Sequence, residues 1–428
     1  MEGRTPMMPL EARTLCLRAD PDTALAELRR HDIGAAQLRD LLDRPAEGEW
    51  HAWSGTTELY DEHGRRTDMA VHVPPYSPGR RLGALIVLHG AGGSGEQVLP
   101  YFTALGDRLS MAVLCPTAQL PARKSNNLDL AGIFGSRFNM PRWDLAGQDF
   151  PLAALRWART ELDADPNRCV LAGVSMGGLA TWNLGMRFWS SFAAAVPING
   201  ALSAWESFGT DARTRALLPN ALPLPLFVVH GQKDEQIPAQ FDRESVRTLR
   251  DLGHQDVEHV EVPHGSHGLE TLGLAEGRPL FRQLEHWLGR TSRTGQPAEI
   301  RHRAEEDAHG RAHWVRLSGI TPRQAAAVRA HRAAADWIDL EVRGARQVTL
   351  YLRGERLTPG DTLTVVVNGT VSLVRFAPDL ATVVRSFRET ADPELVAEQV
   401  VHVAVPQPSG NESTQQSSEA KGGHAHSI

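Results

Sequence analysis

Lysine is almost missing from this chain: all but Lys124, Lys233 and Lys421 of the 45 basic residues are arginine. These arginines are interspersed with 51 Asp and Glu, giving a formal net charge of −6 and no basic stripe to neutralise phosphates, so no nucleic acid is expected as a partner. Cysteine is scarce as well. Cys16, Cys115 and Cys169 are odd in number and lack Cys-x-x-Cys spacing, which suits neither a disulfide framework nor a zinc ribbon. No uncharged apolar run approaches the about 18 residues of a membrane span; the best, Leu82 to Leu88, has the length of a strand. Residues 1 to 10 carry Glu2 and Arg4 without an apolar signal core, which gives the expectation of a cytoplasmic protein. With 428 residues, 41% hydrophobic and 22% charged, the remaining composition is that of a globular chain of about two domains.

Residues 1 to 50 repeat apolar positions at helical spacing and stop before Pro45, which predicts a helical appendage or cap. Thr56 to Tyr60 and Met69 to Val73 alternate with period two about Asp61 to Arg65, a hairpin signal. Short aliphatic runs then alternate with helical patterns: Leu85 to Leu88, Met111 to Leu114, Cys169 to Ala172, Phe192 to Val196, Leu226 to Val229 and Val257 to Val262. Continuous apolar strands separated by helices predict an α/β fold with a mostly parallel, doubly wound sheet over residues 51 to 290. The polar stretch Thr291 to Pro297 marks a boundary. Beyond it, residues 298 to 406 read as a small antiparallel, sandwich-like β domain with Trp314 and Trp337 in its core, a hairpin at Asn368-Gly369 and a helix near Pro378 to Arg388. Residues 407 to 428, rich in Ser, Gln and Gly, are expected to be a disordered tail.

The chemistry concentrates in four places. Gly173-Val174-Ser175-Met176-Gly177 follows the strand Cys169 to Ala172 and opens a helix, and glycines two before and two after a serine permit the tight turn that lifts its hydroxyl above the sheet edge. Such a serine needs a base within hydrogen-bond reach and a carboxylate to orient it. Asp234, whose rival is Glu235, follows the strand Leu226 to Val229; His267, whose rivals are His264, His254 and His259, follows the strand ending at Val262. Finally, His89-Gly90-Ala91-Gly92-Gly93-Ser94-Gly95 follows Leu85 to Leu88, where small residues let backbone N–H groups converge on an oxyanion. Met176 and Ala91 are the predicted donors, with Gly92 as the alternative. The run lacks the Gly-Lys-Ser/Thr ending of a phosphate loop, which argues against that reading.

Together these pieces resemble the α/β-hydrolase superfamily over roughly residues 56 to 290, in particular its esterase branch of polyhydroxybutyrate depolymerase-like, feruloyl esterase-like and prolyl oligopeptidase-like enzymes. Asp165-Pro166-Asn167-Arg168 and Val229 to Asp234 share in the resemblance. It implies a cofactor-free serine hydrolase that holds no metal and acts on a small-molecule or oligomeric ester through an acyl-enzyme. A peptidase is the alternative, and a binding protein on the same fold a further one, although a degenerate hydrolase is not expected to keep nucleophile, base and both elbow glycines. The segment Gln119 to Gly147 reads as a lid or acyl-pocket wall, so Phe134, Phe138 and Trp143, with His89 and His264, are the candidate pocket residues.

Overall fold

Strands that are apolar at every position need cover on both faces. The structure, a computed structural model that describes residues 7–45, 49–120, 141–144, 149–202, 216–321, 324–355 and 357–406, supplies that cover. After the N-terminal helices α1 (Pro9–Arg18), α2 (Pro21–Arg30) and α3 (Ala35–Asp43) come β1 (Trp53–Tyr60), β2 (Arg66–Val73), β3 (Gly83–Leu88), α4 (Gly95–Val98), α5 (Thr103–Leu109) and β4 (Met111–Pro116). Then follow α6 (Phe150–Glu161), β5 (Cys169–Val174), α7 (Met176–Arg187), β6 (Ala194–Ile198), β7 (Leu226–Gly231), α8 (Gln240–Asp251), β8 (Val257–Val262) and α9 (Pro279–Arg290). The eight strands form one sheet in the order β1-β2-β4-β3-β5-β6-β7-β8. β1 and β2 are antiparallel to their neighbours, and the pairs from β4 to β8 are parallel. Ala84, Ile86 and Leu88 of β3 pack with α6, α7 and α8 on one face, and Leu85 and Val87 pack with α5 and α9 on the other.

This order puts the C-terminal ends of β3 and β5 side by side where the winding direction reverses, the place where open α/β sheets leave a crevice for ligands. The predicted hairpin is β1–β2. Asp61 closes it, its Oδ1 accepting from the amides of His63 and Arg65 at 2.9 and 2.8 Å.

The remaining strands are β9 (Glu299–Ala304), β10 (Arg311–Ala312), β11 (Val315–Ser318), β12 (Ala326–Ala334), β13 (Trp337–Arg343), β14 (Gln347–Leu352), β15 (Thr362–Val367), β16 (Thr370–Arg375) and β17 (Gln399–Ala404), with α10 (Leu380–Thr390) before the last. They make a four-stranded sheet, β10-β11-β14-β17, and a five-stranded one, β16-β15-β13-β12-β9. β10 and β11 are joined at His313, which turns the chain with φ +48°. Two expectations are corrected here. β13 and β15 pair in parallel, so this part is mixed rather than purely antiparallel. Trp314 is buried, but Trp337 stands on the outer face of its sheet at 43% exposure, since β13 turns Ile338, Leu340 and Val342 inward instead.

α1, α2 and α3 pack around α10, with Ala12, Cys16, Leu28, Leu38 and Leu42 meeting Val383, Val384 and Phe387. Arg388 donates to the Cys16 and Ala19 carbonyls, and Arg39 pairs with the buried Glu398 at 2.7 Å. Among the described residues no helix is long and apolar enough to cross a membrane. The expected tail, residues 407 to 428, lies outside the described residues.

Candidate active site

Ser175 sits between β5 and α7 with φ +56° and ψ −117°, a backbone that non-glycine residues adopt only under strain. Its amide bonds the Ile198 carbonyl of the neighbouring strand at 2.9 Å, which helps to hold the turn. The flanking glycines make it possible. A Cβ on Gly177 would collide with the Leu88 carbonyl, and one on Gly173 with the Gly177 carbonyl. The strained turn points the hydroxyl out of the sheet edge toward His267, whose Nε2 accepts from Oγ at 2.8 Å. His267 Nδ1 donates to Asp234 Oδ2 at 2.7 Å. Oδ1 of Asp234 accepts from the amides of Gln236 and Ile237, both at 2.9 Å. Burial opposes ionisation of Asp234, but the neighbouring His230 and the hydrogen bonds from His267 and Ile237 outweigh it and hold the carboxyl well below the usual carboxylate range.

The structure thus brings Ser175, His267 and Asp234 together. Glu235 is exposed, His264 is exposed on the same loop as His267, His254 bonds the Leu224 carbonyl at 2.9 Å, and His259 lies within β8.

Met176 is the first residue of α7, so its N–H is one of the donors that a helix N-terminus leaves without an intrahelical acceptor. Gly90 to Gly93 form a turn closed by the Gly93 amide on the Gly90 carbonyl at 3.2 Å, with Gly92 at φ +71°. The turn lies against Ser175: a Cβ built on Gly90 would be 3.2 Å from Ser175 Cβ. Ala91 follows Gly90 in this turn.

Two candidate pocket residues are corrected. His89 is buried and has both ring nitrogens engaged, Nδ1 donating to the Gly90 carbonyl at 2.6 Å and Nε2 accepting from the Ala118 amide at 2.9 Å. It braces the glycine turn and offers substrate no free polar atom. Trp143 is fully buried against it, ring centroids 5.0 Å apart, with its indole N–H donating to the His89 carbonyl at 3.2 Å. Phe134 and Phe138 lie outside the described residues.

Sequence reasoning missed three groups. Asn199, fully buried with φ +45°, donates to the Ser266 and His267 carbonyls at 2.9 Å and accepts from Gly231 N–H at 2.8 Å, so it pins the His267 loop to β7. An Asn-Gly pair directly after an apolar strand was the available signal. Asp242 and Trp182 are buried behind Asp234 and joined to each other, Trp182 Nε1 donating to Asp242 Oδ1 at 2.9 Å. Nothing in their local sequence marks them.

A second Ser-His-Asp string exists. Ser54 Oγ lies 2.7 Å from His72 Nδ1, and His72 Nε2 lies 2.8 Å from Asp107 Oδ1. Ser54 is an exposed residue within the edge strand β1, without the elbow or the helix N-terminus that accompany Ser175. Among the described residues no group of three or more His, Cys, Asp or Glu is placed to hold a metal ion.

Sheet order, strained serine and glycine turn are those of the α/β-hydrolase superfamily, and the chain resembles its serine esterases. Two curated relatives match parts of the chain. No family model matches the chain. A 65-residue stretch is 31% identical to esterase LipQ of Mycobacterium tuberculosis, covering 15% of each chain. A 114-residue stretch is 25% identical to acyl-protein thioesterase 1 of Emericella nidulans, covering 26% of this chain and 45% of that one. The chain thus spans less than half the length of these curated relatives. Among solved structures, S-formylglutathione hydrolase FrmB of Staphylococcus aureus aligns over 56% of this chain and 100% of its own at 17% identity, with a TM-score of 0.43.

Proposed function

We propose that this protein is a serine hydrolase that cleaves carboxylic esters through an acyl-enzyme. Ser175 Oγ attacks the ester carbonyl while His267 Nε2 takes its proton, and Asp234 holds the imidazole in the required tautomer. The N–H groups of Met176 and Ala91, with Gly92 as the alternative donor, hold the tetrahedral oxyanion. His267 then returns the proton to the leaving alcohol, and a water activated by the same nitrogen releases the acid and frees Ser175. One observation carries the reading: an unbroken run from Asp234 through His267 to Ser175, at 2.7 and 2.8 Å, ends on a strained serine at a helix N-terminus. Esterase and thioesterase names among the partial relatives support the ester class. The three cysteines are unpaired and buried, which fits the reducing interior of a cell.

The test is hydrolysis of p-nitrophenyl esters, from acetyl to long acyl chains, by the parent protein and Ser175→Ala. The variant is expected to lose at least about 10⁴-fold in kcat/KM with an unchanged circular dichroism spectrum. Undiminished turnover by the variant would overturn the mechanism, and hydrolysis of peptide amides in preference to every ester would replace the substrate class by the peptidase alternative.

A further inference from the structure

Behind Asp234 lies a histidine that the hydrolytic cycle above does not use. His230, at the end of β7, is fully buried. Its Nε2 lies 2.8 Å from the Ile237 carbonyl, and its Nδ1 lies 2.7 Å from Asp242 Oδ2. A backbone carbonyl only accepts, so Nε2 carries a hydrogen. A carboxylate also only accepts, so with Asp242 ionised Nδ1 carries one too. The other arrangement puts the proton on Asp242 and leaves the ring neutral. Two contacts argue against it. Asp242 Oδ1 already accepts from the Trp182 indole, which favours the charged carboxylate. Asp234 Oδ2 lies 3.5 Å from His230 Nε2, and a neutral ring would leave that buried carboxylate without a counter-charge on this side.

We infer that His230 is held as an imidazolium between Asp234 and Asp242 and acts as a positioning residue, fixing Asp234 as a carboxylate aimed at His267. The part concerning His267 rests on the triad reading above; the charge of His230 does not. Burial alone pushes an imidazole down, and here the two flanking carboxylates, Asp234 and the hydrogen-bonded Asp242, overcome it and carry His230 up to about 10. Among the described residues, His259 and Glu261 of β8 also interact with the ring, and Glu261 is itself paired with Arg243 at 2.6 Å. The arrangement also closes a ring of contacts. α7 begins at Met176 beside Ser175 and two turns later supplies Trp182 to Asp242, so the helix that carries the nucleophile at its head anchors the counter-ion of the acid.

The expected charge compensation has a direction. Without a positive charge at His230, Asp234 stands uncompensated and the acid limb of the kcat/KM profile moves to higher pH, by about one pH unit for a neighbouring unit charge. The experiment is ¹⁵N NMR of the histidine-labelled parent protein at pH about 8, where an ordinary imidazole is neutral. The His230 signals, identified by their loss in His230→Gln, are expected with both ring nitrogens protonated, and Asp242→Asn is expected to return them to a neutral pattern. The pH profile of His230→Gln is then compared with that of the parent. One protonated and one bare nitrogen at His230 in the parent would overturn the imidazolium. Doubly protonated nitrogens combined with an unmoved acid limb in a folded His230→Gln would overturn the positioning role. If Ser175→Ala stays active the triad falls, yet the NMR signals still decide the charge of His230.

Discussion

Acid should loosen the join between the large sheet and the C-terminal strands before it protonates most carboxylates. Trp189, just after α7, reaches across this join. Its indole N–H donates to His302 Nδ1 at 3.2 Å, and its ring meets that of His313 edge-on at 4.9 Å. His302 Nε2 donates to the His309 carbonyl at 2.6 Å, so protonating Nδ1 would break the Trp189 bond. Burial pushes His302 down to about 4, and burial with the Arg293 charge pushes His313 down to about 3. Unfolded, both titrate near 6.5. Below that pH the unfolded chain binds protons that the native state refuses, so stability is complete above 6.5 and declines as pH falls toward 4. At pH about 5 each histidine costs about 2 kcal/mol, or about 4 kcal/mol for the pair. Asp392, held down to about 2 by Arg293 and Arg159 against the effect of its burial, loses its contribution only as pH falls through the ordinary carboxylate range toward 2, so it does not blur this window at pH about 5. Burial also lowers His89, His254 and His259, which adds to the same trend, so the decisive comparison uses variants. Urea unfolding at pH about 7 and about 5, followed by tryptophan fluorescence, is to be compared between the parent and a His302→Gln/His313→Asn double variant. The double variant should escape about 4 kcal/mol of the acid loss. Equal losses in the two proteins would refute the reasoning.

Two further outcomes are expected. Phe387→Ala empties the centre of the cluster formed by α1, α2, α3 and α10, and should cost about 3 to 5 kcal/mol in urea titrations, with residual ester hydrolysis of the folded fraction unchanged. In Ser175→Ala, a fluorophosphonate probe should leave Ser54 unmodified by mass spectrometry, because its string with His72 and Asp107 lacks the elbow; stoichiometric labelling there would show that hydrogen bonding alone activates a serine in this fold.

The large sheet was legible because its strands are buried on two faces, and an aliphatic run such as Leu85 to Leu88, too short for a buried helix, fits a strand covered on both sides. Ser175, Asp234 and His267 were legible because each follows a strand's C-terminal end, and the sheet topology gathers such ends. Where reading failed, the deciding partner was remote. The fate of His89 depends on the Ala118 amide, about thirty residues away. β12 (Ala326–Ala334) reads Ala-Ala-Val-Arg-Ala-His-Arg-Ala-Ala, a composition with high helix propensity. It is a strand because Ala326, Val328 and Ala330 alternate inward onto the core between β9 and β13. The parallel pairing of β13 with β15 depends on a register that no local pattern encodes.

The clasp of α1, α2 and α3 around α10 has a consequence for synthesis. The first three helices leave the ribosome with an apolar face whose partner, residues 380 to 390, is translated more than three hundred residues later. At about 5 to 20 residues per second that is some tens of seconds of exposure. Until α10 arrives, Leu28, Leu38 and Leu42 can only pack among themselves or be shielded by another protein, so α1 to α3 reach their final packing only late in synthesis.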